Sequence, residues 1–252
     1  MADINVYDEY LREGERVDDL QCKGYHILQH PGMFCFGMDA VLLADFATGS
    51  PKSKVIDLGT GTGIIPILMY ARNKGQHFTG LEIQDRSADM AHRSIMMNGL
   101  EEHISIIQGD IKEARLNFKG GSFDVVTSNP PYITHNHGLE NPDEPKNIAR
   151  HEILVNLSEL VASAAYLLRQ GGTFAMIHKP FRLNEIFSTL TANKLEPKRM
   201  RLIQPYIDKE PTMVLVEAVK GGRPMLKIEP TLVVYNRDGS YTEEVILRYN
   251  KH

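Results

Sequence analysis

The sequence predicts a doubly wound α/β fold, in which helices cover both faces of a mostly parallel sheet of seven strands. Short segments rich in Val and Ile alternate along the chain with longer segments of helical periodicity. A glycine-rich turn joins the first of these strands to the helix that follows it. Because ligands of such folds bind outside the carboxyl ends of the strands, the residues that follow each strand are the candidates for chemistry.

The chain is expected to begin with a hairpin over residues 19–28 that turns near Lys23-Gly24, and a helix then starts near Asp39. The first strand of the sheet, Val55–Leu58, leads through the glycine turn into a helix that reaches Tyr70. The remaining predicted strands are 77–82, 104–108, 123–128, 173–178, 199–204 and 212–219. The remaining predicted helices are 86–98, 152–169 and 182–193, the second stopped by Gly171-Gly172.

The end of the chain and its domain organisation follow from the same pattern. A short connection joins the last two of these strands, so the last one is expected to run antiparallel to its neighbours. Further strand is predicted at 227–229 and 231–235. We assign residues 1–35 to a small N-terminal hairpin extension and residues 36–252 to a single main domain.

Composition indicates an ordinary globular protein, with 42% apolar and 24% charged residues in 252. No run approaches the ~18 consecutive apolar residues of a membrane span, and the first residues lack the pattern of a signal peptide. Neither Cys22 nor Cys35 lies in a C-x-x-C pair, which argues against a metal knuckle or a disulfide framework. We therefore expect a cytoplasmic protein without a metal site.

The net charge of −4 and the pI near 6.2 do not resemble those of a strongly basic nucleic-acid-binding domain. A local basic face can nevertheless bind RNA, and the segment Lys179–Arg201 holds six basic residues against two acidic ones. A solvated surface is the alternative reading of that segment. The candidates for contacts with substrate phosphates are Arg150, Lys179, Arg182, Lys198, Arg199 and Arg201.

Acidic residues and glycines at three successive strand ends indicate a cofactor site. The turn that starts at Asp57 has the spacing G-x-G-x-G, with glycines at 59, 61 and 63, which favours a cofactor with a charged amine and no phosphate. Glu82 ends the second strand, where a carboxylate can accept both ribose hydroxyls, and Asp110 follows the third, placed for an adenine amino group. One such acid alone would more often be a helix cap. An NAD dehydrogenase would share the ribose carboxylate but would leave Asn129 without a role.

The tetrapeptide Asn129-Pro130-Pro131-Tyr132 at the end of the fourth strand is the most specific motif. The Asn129 side-chain oxygen and the Pro130 carbonyl can each accept one N–H of a planar –NH₂ group. Positive charge that develops on the nitrogen during methylation would be met by these two acceptors. The prolines stiffen the turn, and Tyr132 offers a face for stacking. A rigid turn with a surface tyrosine is the structural alternative.

Residues 36–132 resemble the class I, Rossmann-like methyltransferase core, with Phe36-Gly37-Met38-Asp39 as the upstream cofactor motif. Segments 16–20, 36–46, 149–152 and 198–205 extend the resemblance to the bacterial tRNA1(Val) adenine-N6 methyltransferase family. The resemblance implies the cofactor S-adenosylmethionine and methylation of adenosine N6 at tRNA position 37. It places Asp39 near the methionine part, Glu82 at the ribose and Asp110 at the adenine. The full expected cofactor set is Asp39, Asp57, Gly59, Thr60, Gly61, Gly63, Glu82, Ile83, Asp110, Ile111 and Asn129.

Other functions remain open on the motifs alone. The same tetrapeptide serves enzymes that methylate glutamine side chains of release factors, although those carry a long helical N-terminal domain. DNA adenine methyltransferases add a target-recognition region, and ribosomal guanine enzymes usually add a second domain; methylation of another RNA base stays possible. A non-catalytic module that only binds S-adenosylmethionine is a further alternative. His135 and His137 lack a third metal ligand, and the polar loop 133–148 is a candidate lid.

Overall fold

The computed structural model describes residues 7–33, 35, 37–131 and 156–249. The strands are β1 (Arg16–Asp19), β2 (His26–Gln29), β3 (Lys54–Leu58), β4 (His77–Glu82), β5 (Ile104–Gln108), β6 (Phe123–Ser128), β7 (Leu168–His178), β8 (Leu195–Gln204), β9 (Met213–Lys220), β10 (Lys227–Ile228) and β11 (Leu232–Val233). The α-helices are α1 (Met38–Phe46), α2 (Ile64–Ala71), α3 (Asp85–Met97), α4 (Ala114–Asn117), α5 (Leu157–Leu167), α6 (Leu183–Ala192) and α7 (Glu243–Tyr249). Short 3₁₀ turns occupy Ile111–Glu113 and Pro180–Arg182.

The seven predicted strands form one sheet in the order β5-β4-β3-β6-β7-β9-β8. Strands β3 to β7 are mutually parallel along this order, and β9 runs antiparallel to both of its neighbours. The predicted doubly wound, mostly parallel sheet is therefore confirmed, as is the antiparallel last strand. Two very short strands, β10 and β11, add to β8 in parallel where further strand was predicted.

Successive residues of the strands point into two separate cores, as expected for a sheet covered on both faces. Val55 packs with the helices α1 and α2, whereas its neighbour Ile56 packs with α5 and α6. The same alternation separates Val125 from Val126 in β6. Alternate burial on both faces therefore fixes the sheet in the middle of the molecule.

The N-terminal hairpin of β1 and β2 lies against α3 through hydrogen bonds to its own backbone. Asn98 accepts from the His26 N–H (2.9 Å) and donates to the His26 carbonyl (2.7 Å). Ser94 Oγ accepts from the Leu28 N–H at 3.0 Å. The division of the chain at residues 35 and 36 stays a prediction.

The structure differs from the sequence prediction around α5. Helix α5 begins with a capping box, in which Asn156 and Glu159 exchange side-chain and backbone hydrogen bonds, and residues 152–155 lie outside the described part. It ends at Leu167, and β7 starts at once at Leu168, ahead of the glycines that were predicted to stop the helix. Leu168 is fully buried and pairs with Phe123, so its packing in the sheet outweighs a further helical turn.

The C-terminal helix α7 was not predicted, because its apolar side is narrow and only Val245 is buried within it. In the part of the chain that the structure describes, no helix is both long and apolar enough to cross a bilayer.

Candidate active site

The glycine turn between β3 and α2 adopts a backbone that suits glycine alone. Gly59, Gly61 and Gly63 all have positive φ, at 73°, 58° and 88°. The turn is held to β4 because the N–H groups of Gly59 and Thr60 both donate to the Leu81 carbonyl, at 2.9 and 3.1 Å. A Cβ added to Gly61 would meet no atom within 4 Å, so this part of the turn faces open space. A ligand can therefore approach the backbone here.

Asp57 is a buried carboxylate at the end of β3, with 1% of its surface exposed. One oxygen, Oδ1, accepts from the Thr127 hydroxyl on β6 at 2.7 Å, whereas Oδ2 is buried without a hydrogen-bond partner. Burial raises the pKa of Asp57 to about 6, against the lowering effect of the nearby Thr127 and Thr60 hydroxyls. The Thr60 hydroxyl oxygen is also buried without a hydrogen-bond partner, so it and Asp57 Oδ2 leave hydrogen-bonding capacity for a ligand.

Glu82 ends β4 and ties the glycine turn to the next loop. Its Oε2 accepts from the Gly61 N–H at 2.8 Å, and its Oε1 accepts from the Gln84 N–H at 2.9 Å. Burial raises the pKa of Glu82, while the backbone N–H groups of Gln84, Gly61 and Ile83 oppose that rise. Each carboxylate oxygen keeps further lone pairs, so this side chain can still accept hydroxyl groups of a ribose.

Asp110, Ile83 and Ile111 are the other predicted cofactor residues at the carboxyl ends of β4 and β5. Asp110 caps the 3₁₀ turn after β5 by accepting from the Lys112 N–H at 2.8 Å, and its side chain is 22% exposed. Ile111 reaches the glycine turn, where its Cδ1 would lie 3.8 Å from a Cβ added to Gly59. Ile83, next to Glu82, is 38% exposed. A capping acid beside the exposed Ile83 and the half-buried Ile111 can bind the amino group of a flat base that rests on these apolar side chains.

Asn129 lies at the end of β6, next to the glycine turn. The ladder of β6 with β3 pairs Thr127 with Asp57, so the following residues run alongside the turn. Ser128 fastens this end, because its hydroxyl donates to the Leu58 carbonyl at 2.8 Å. Asn129 and Pro130 are half-buried, and Pro131 is exposed. Tyr132 lies outside the described residues, as do the loop 133–148, His135, His137 and Arg150.

Asp39 lies in the first turn of α1 and is half-buried, with Oδ1 accepting from the Ala40 N–H at 2.9 Å. Helix α1 packs against α2, the helix that the glycine turn begins. Asp39 is therefore on a helix that packs against the helix after the glycine turn, and its role near the methionine part of the cofactor stays a prediction. The structure thus brings together most of the predicted cofactor residues. Glu82 binds the glycine turn that follows Asp57, and Ile111 lies beside that turn. The pairing of β6 with β3 places Asn129 nearby.

Two residues near the site had no signal in the sequence. Gln29 of the hairpin strand β2 is 1% exposed and donates to the Thr62 hydroxyl in the glycine turn at 2.7 Å. His178 ends β7, beside the end of β6, and is 2% exposed. Burial lowers the pKa of His178 to about 4, helped by the nearby positive charge of Arg182. A histidine so placed is neutral at neutral pH.

The basic candidates separate into two groups. Lys179 and Arg182 follow His178 at the edge of the sheet where the parallel strands have their carboxyl ends, which we call the active edge. Lys179 Nζ lies 3.4 Å from Met213 Sδ. Arg182 forms an ion pair with Glu185 at 2.5 Å. Lys198, Arg199 and Arg201 lie along β8, which β9 separates from β7 in the sheet. Lys179 and Arg182 follow β7, the strand next to β6, so they lie nearer to Asn129 than the β8 cations do.

The β8 cations are engaged with other groups. Lys198 donates to the Arg223 carbonyl at 3.1 Å. Arg199 pairs with Glu229 at 3.3 Å and Glu217 at 3.4 Å, and its guanidinium lies over the Phe46 ring at 4.0 Å. Arg201 is 6% exposed and pairs with Glu244 at 2.6 Å. Among the described residues, no group of three or more His, Cys, Asp or Glu side chains is arranged to hold a metal ion.

Known proteins give the same picture of fold and cofactor. The methyltransferase small domain family matches residues 24–194. The tRNA1(Val) (adenine(37)-N6)-methyltransferase of Porphyromonas gingivalis is 28% identical over 83% of this chain and 85% of its own. The enzyme of the same name from Tolumonas auensis is 27% identical over 89% of this chain and 92% of its own.

Solved structures share the fold at lower identity. A predicted O-methyltransferase from Agrobacterium tumefaciens has a TM-score of 0.67 and 22% identity, covering 84% of this chain and 95% of its own. TYW2 of P. horikoshii, in complex with MeSAdo, has a TM-score of 0.59 and 15% identity over 84% of this chain and 73% of its own. Geranyl diphosphate C-methyltransferase from Streptomyces coelicolor, solved with SAM, has a TM-score of 0.54 and 15% identity over 72% of this chain and 84% of its own.

The residues at the strand ends fit S-adenosylmethionine. The unpartnered oxygen of Asp57 suits a charged amine, the open side of Gly61 suits close approach of a ligand, and Glu82 and Asp110 suit the nucleoside. The chain belongs to the methyltransferase small domain family, with S-adenosylmethionine as its methyl donor.

Proposed function

We propose that this enzyme transfers a methyl group to the exocyclic N6 amine of an adenosine in tRNA, with position 37 of tRNA1(Val) as the target. The observation that carries the proposal is the position of Asn129, which strand register and the Ser128 hydroxyl hold beside the glycine turn. The names of the two relatives give the substrate class. A tRNA substrate also implies a cytoplasmic location.

The chemistry follows from what Asn129 and Pro130 offer. When bound, S-adenosylmethionine supplies an electrophilic methyl group on a sulfonium sulfur. The Asn129 Oδ1 and the Pro130 carbonyl accept the two N–H bonds of the target amine, which turns its lone pair out of conjugation with the ring. As the N–C bond forms and the C–S bond breaks, both acceptors stabilise the positive charge that grows on nitrogen. The extra proton then leaves to water, so no strong general base is required.

A base in an anticodon loop suits an enzyme of this size. Turning a base out of a duplex costs a few kcal/mol, whereas a loop base is already unpaired. Lys179 and Arg182 are the proposed phosphate contacts that lie at the active edge, with Arg150 as a further candidate. Arg182 is also paired, but its partner Glu185 is 51% exposed, so that ion pair is easily exchanged for a phosphate. The β8 cations remain weaker candidates, because the Glu217 partner of Arg199 is buried and Arg201 is itself buried.

The test is a methyl-transfer assay with radiolabelled cofactor, in which total tRNA, ribosomal RNA, DNA and a release factor are offered in parallel. The expected result is label in tRNA that nucleoside analysis identifies as N6-methyladenosine. Purified tRNA1(Val) with position 37 changed from A to G serves as the matched control and should take up no label. Label in the release factor alone would replace this proposal with glutamine methylation.

A further inference from the structure

Four tyrosines that are far apart in the sequence form a row at the C-terminal side of the molecule. We call Tyr206, Tyr235, Tyr241 and Tyr249 the tyrosine ladder. Their ring centroids are 5.6 Å apart between Tyr206 and Tyr235, 5.3 Å between Tyr235 and Tyr241, and 6.2 Å between Tyr241 and Tyr249. The last two pairs are nearly parallel, with interplanar angles of 19° and 20°.

Sheet topology places the ladder at the same edge as Asn129. His178 at the end of β7 pairs with Val214, and Val214 pairs with Leu202 near the end of β8. Strand β8 therefore ends level with β7, at the carboxyl edge of the parallel strands. Tyr206 follows β8 directly, and Tyr235 is joined to this end because its N–H donates to the Pro205 carbonyl at 2.8 Å.

The other end of the ladder reaches the helix that carries Asp39. Helix α7 contacts α1, and Tyr249 packs against the core that contains α1. Burial raises the pKa of Tyr249 to about 12, with Tyr241 and Asp39 adding to the rise. The tyrosine ladder therefore runs from the end of β8 to helix α1, which carries Asp39.

Contacts with the rest of the protein fix the C-terminal segment, and with it the positions of the tyrosine rings. The Arg248 side chain forms an ion pair with the buried carboxylate of Asp45 in α1. The backbone carbonyl of Arg248 accepts a hydrogen bond at 2.9 Å from Arg72, which follows α2. Tyr235 and Tyr241 form an antiparallel bridge between their backbones. A held ring loses little conformational entropy when a partner stacks on it.

The rings are not enclosed as a core would enclose them. Tyr241 is 44% exposed, and Ile207, next to Tyr206, is 65% exposed. Centroid distances of 5.3 and 6.2 Å between nearly parallel rings are those of offset stacking, in which neighbouring rings overlap only in part. Exposed aromatic surface next to a substrate site is typical of single-stranded nucleic-acid binding.

We propose that the tyrosine ladder binds unpaired nucleotides next to the target adenosine by stacking on their bases. The inference rests on the proposed function, because it takes RNA as the methyl acceptor. The turns beside the ladder carry Lys209 and Arg237 against Asp208, Glu210 and Asp238, so they offer no net positive charge to a phosphate. The contribution of the ladder is therefore expected to come from stacking and to be nearly independent of salt.

Steady-state kinetics with tRNA test this role. Tyr241→Ala should raise the KM for tRNA by about tenfold, the effect of losing one stacked base, with kcat and the Kd for S-adenosylmethionine within about twofold. Tyr241→Phe keeps the ring and should restore the KM. Tyr166→Ala serves as the matched control, because that tyrosine packs at Phe118 and Gly120 at the opposite edge of the sheet. Thermal melting shows that each variant is folded.

A fluorescence experiment tests stacking directly, since the chain contains no tryptophan. Tyr241→Trp introduces a single indole whose emission should be quenched by an anticodon stem-loop RNA, equally at low and moderate salt once binding is saturated. Leu116→Trp, at a position 81% exposed on α4, should show no such quenching.

The outcomes separate the ladder from the proposed function. If the wild type methylates tRNA and Tyr241→Ala leaves the KM unchanged, stacking by the ladder is excluded while the methylation proposal stands. If the wild type methylates only a release factor, and Tyr241→Ala raises the KM for that protein, both proposals fail and the ladder is a protein-docking surface.

Discussion

The two sides of the active edge differ in how their charged side chains are paired. On the β3 and β4 side, Asp57 and Glu82 accept only hydroxyl or backbone N–H groups, and no ion pair is described for either. On the β8 side, Arg199 and Arg201 are each paired with a carboxylate. The first side holds negative charge without a cation, and the second has already neutralised its positive charge.

This difference indicates that the β3 and β4 side is the one suited to bind a charged ligand. A cofactor with a cationic amine and a sulfonium can lower the cost of two buried carboxylates, so the cofactor and the apo site are complementary. A phosphate that approached Arg201 would have to displace Glu244, because Arg201 is itself buried and already donates to that carboxylate at 2.6 Å. RNA is therefore expected to gain most of its affinity elsewhere, from Lys179, from aromatic contacts and from Arg182, whose ion pair with the exposed Glu185 is weak.

The largest expected effect is that of Asn129→Ala, which removes an acceptor from the point where the two sides meet. The loss of one preoriented group aimed at a developing charge should lower kcat by about 100- to 1000-fold. Affinity for S-adenosylmethionine, measured by calorimetry, should change by less than about threefold, because the amide addresses the acceptor nitrogen. Near wild-type turnover with an unchanged melting temperature would contradict the role assigned to Asn129.

A smaller effect is expected from pH, and it has opposite signs for binding and folding. The pKa of Asp57 is about 6, above the ordinary 3.8, so the folded protein takes up this proton as the pH falls through 6. The uptake favours the folded apo protein between pH 6 and 3.8, so this group adds stability as the pH falls. Binding of a cationic amine needs the ionised form, so affinity should fall by about tenfold from pH 7 to 5.

Calorimetry over this pH range checks the pH prediction. Asp57→Asn is the matched control: it should bind the cofactor more weakly at pH 7 and should lose most of the dependence between pH 7 and 5. A wild-type affinity that is flat over this range would show that the ionisation of Asp57 does not matter for the cofactor.

The smallest effect distinguishes the two groups of cations. Lys179→Ala should reduce the salt slope of tRNA binding by about one, as expected for the loss of one phosphate contact. Arg201→Met should leave the slope unchanged but lower the free energy of unfolding by about 1–3 kcal/mol, because it removes the buried bonds to Glu244 and the Pro230 carbonyl. Anisotropy titrations over a salt series and denaturant unfolding measure the two quantities.

Much of the cofactor side was predictable because its signals are local in sequence. A strand, a glycine turn and a helix specify one another over a few residues, and parallel strands bring their carboxyl ends to one edge. Asp57, Glu82 and Asn129 could thus be placed together from strand assignments alone. The start of β7 at Leu168 was not predictable, because its pairing with Phe123 competes with helix propensity only after the sheet has formed.

The sequence by itself determined the doubly wound sheet, the glycine turn and the row of acids and Asn129 at the strand ends, since short-range periodicity and backbone requirements encode them. Only the tertiary structure decided which charges are free to meet a ligand and which surfaces face the substrate. Gln29 meets Thr62, Arg201 meets Glu244, and the four tyrosines meet one another across long separations in the chain. Such contacts depend on chain packing, which no local pattern specifies.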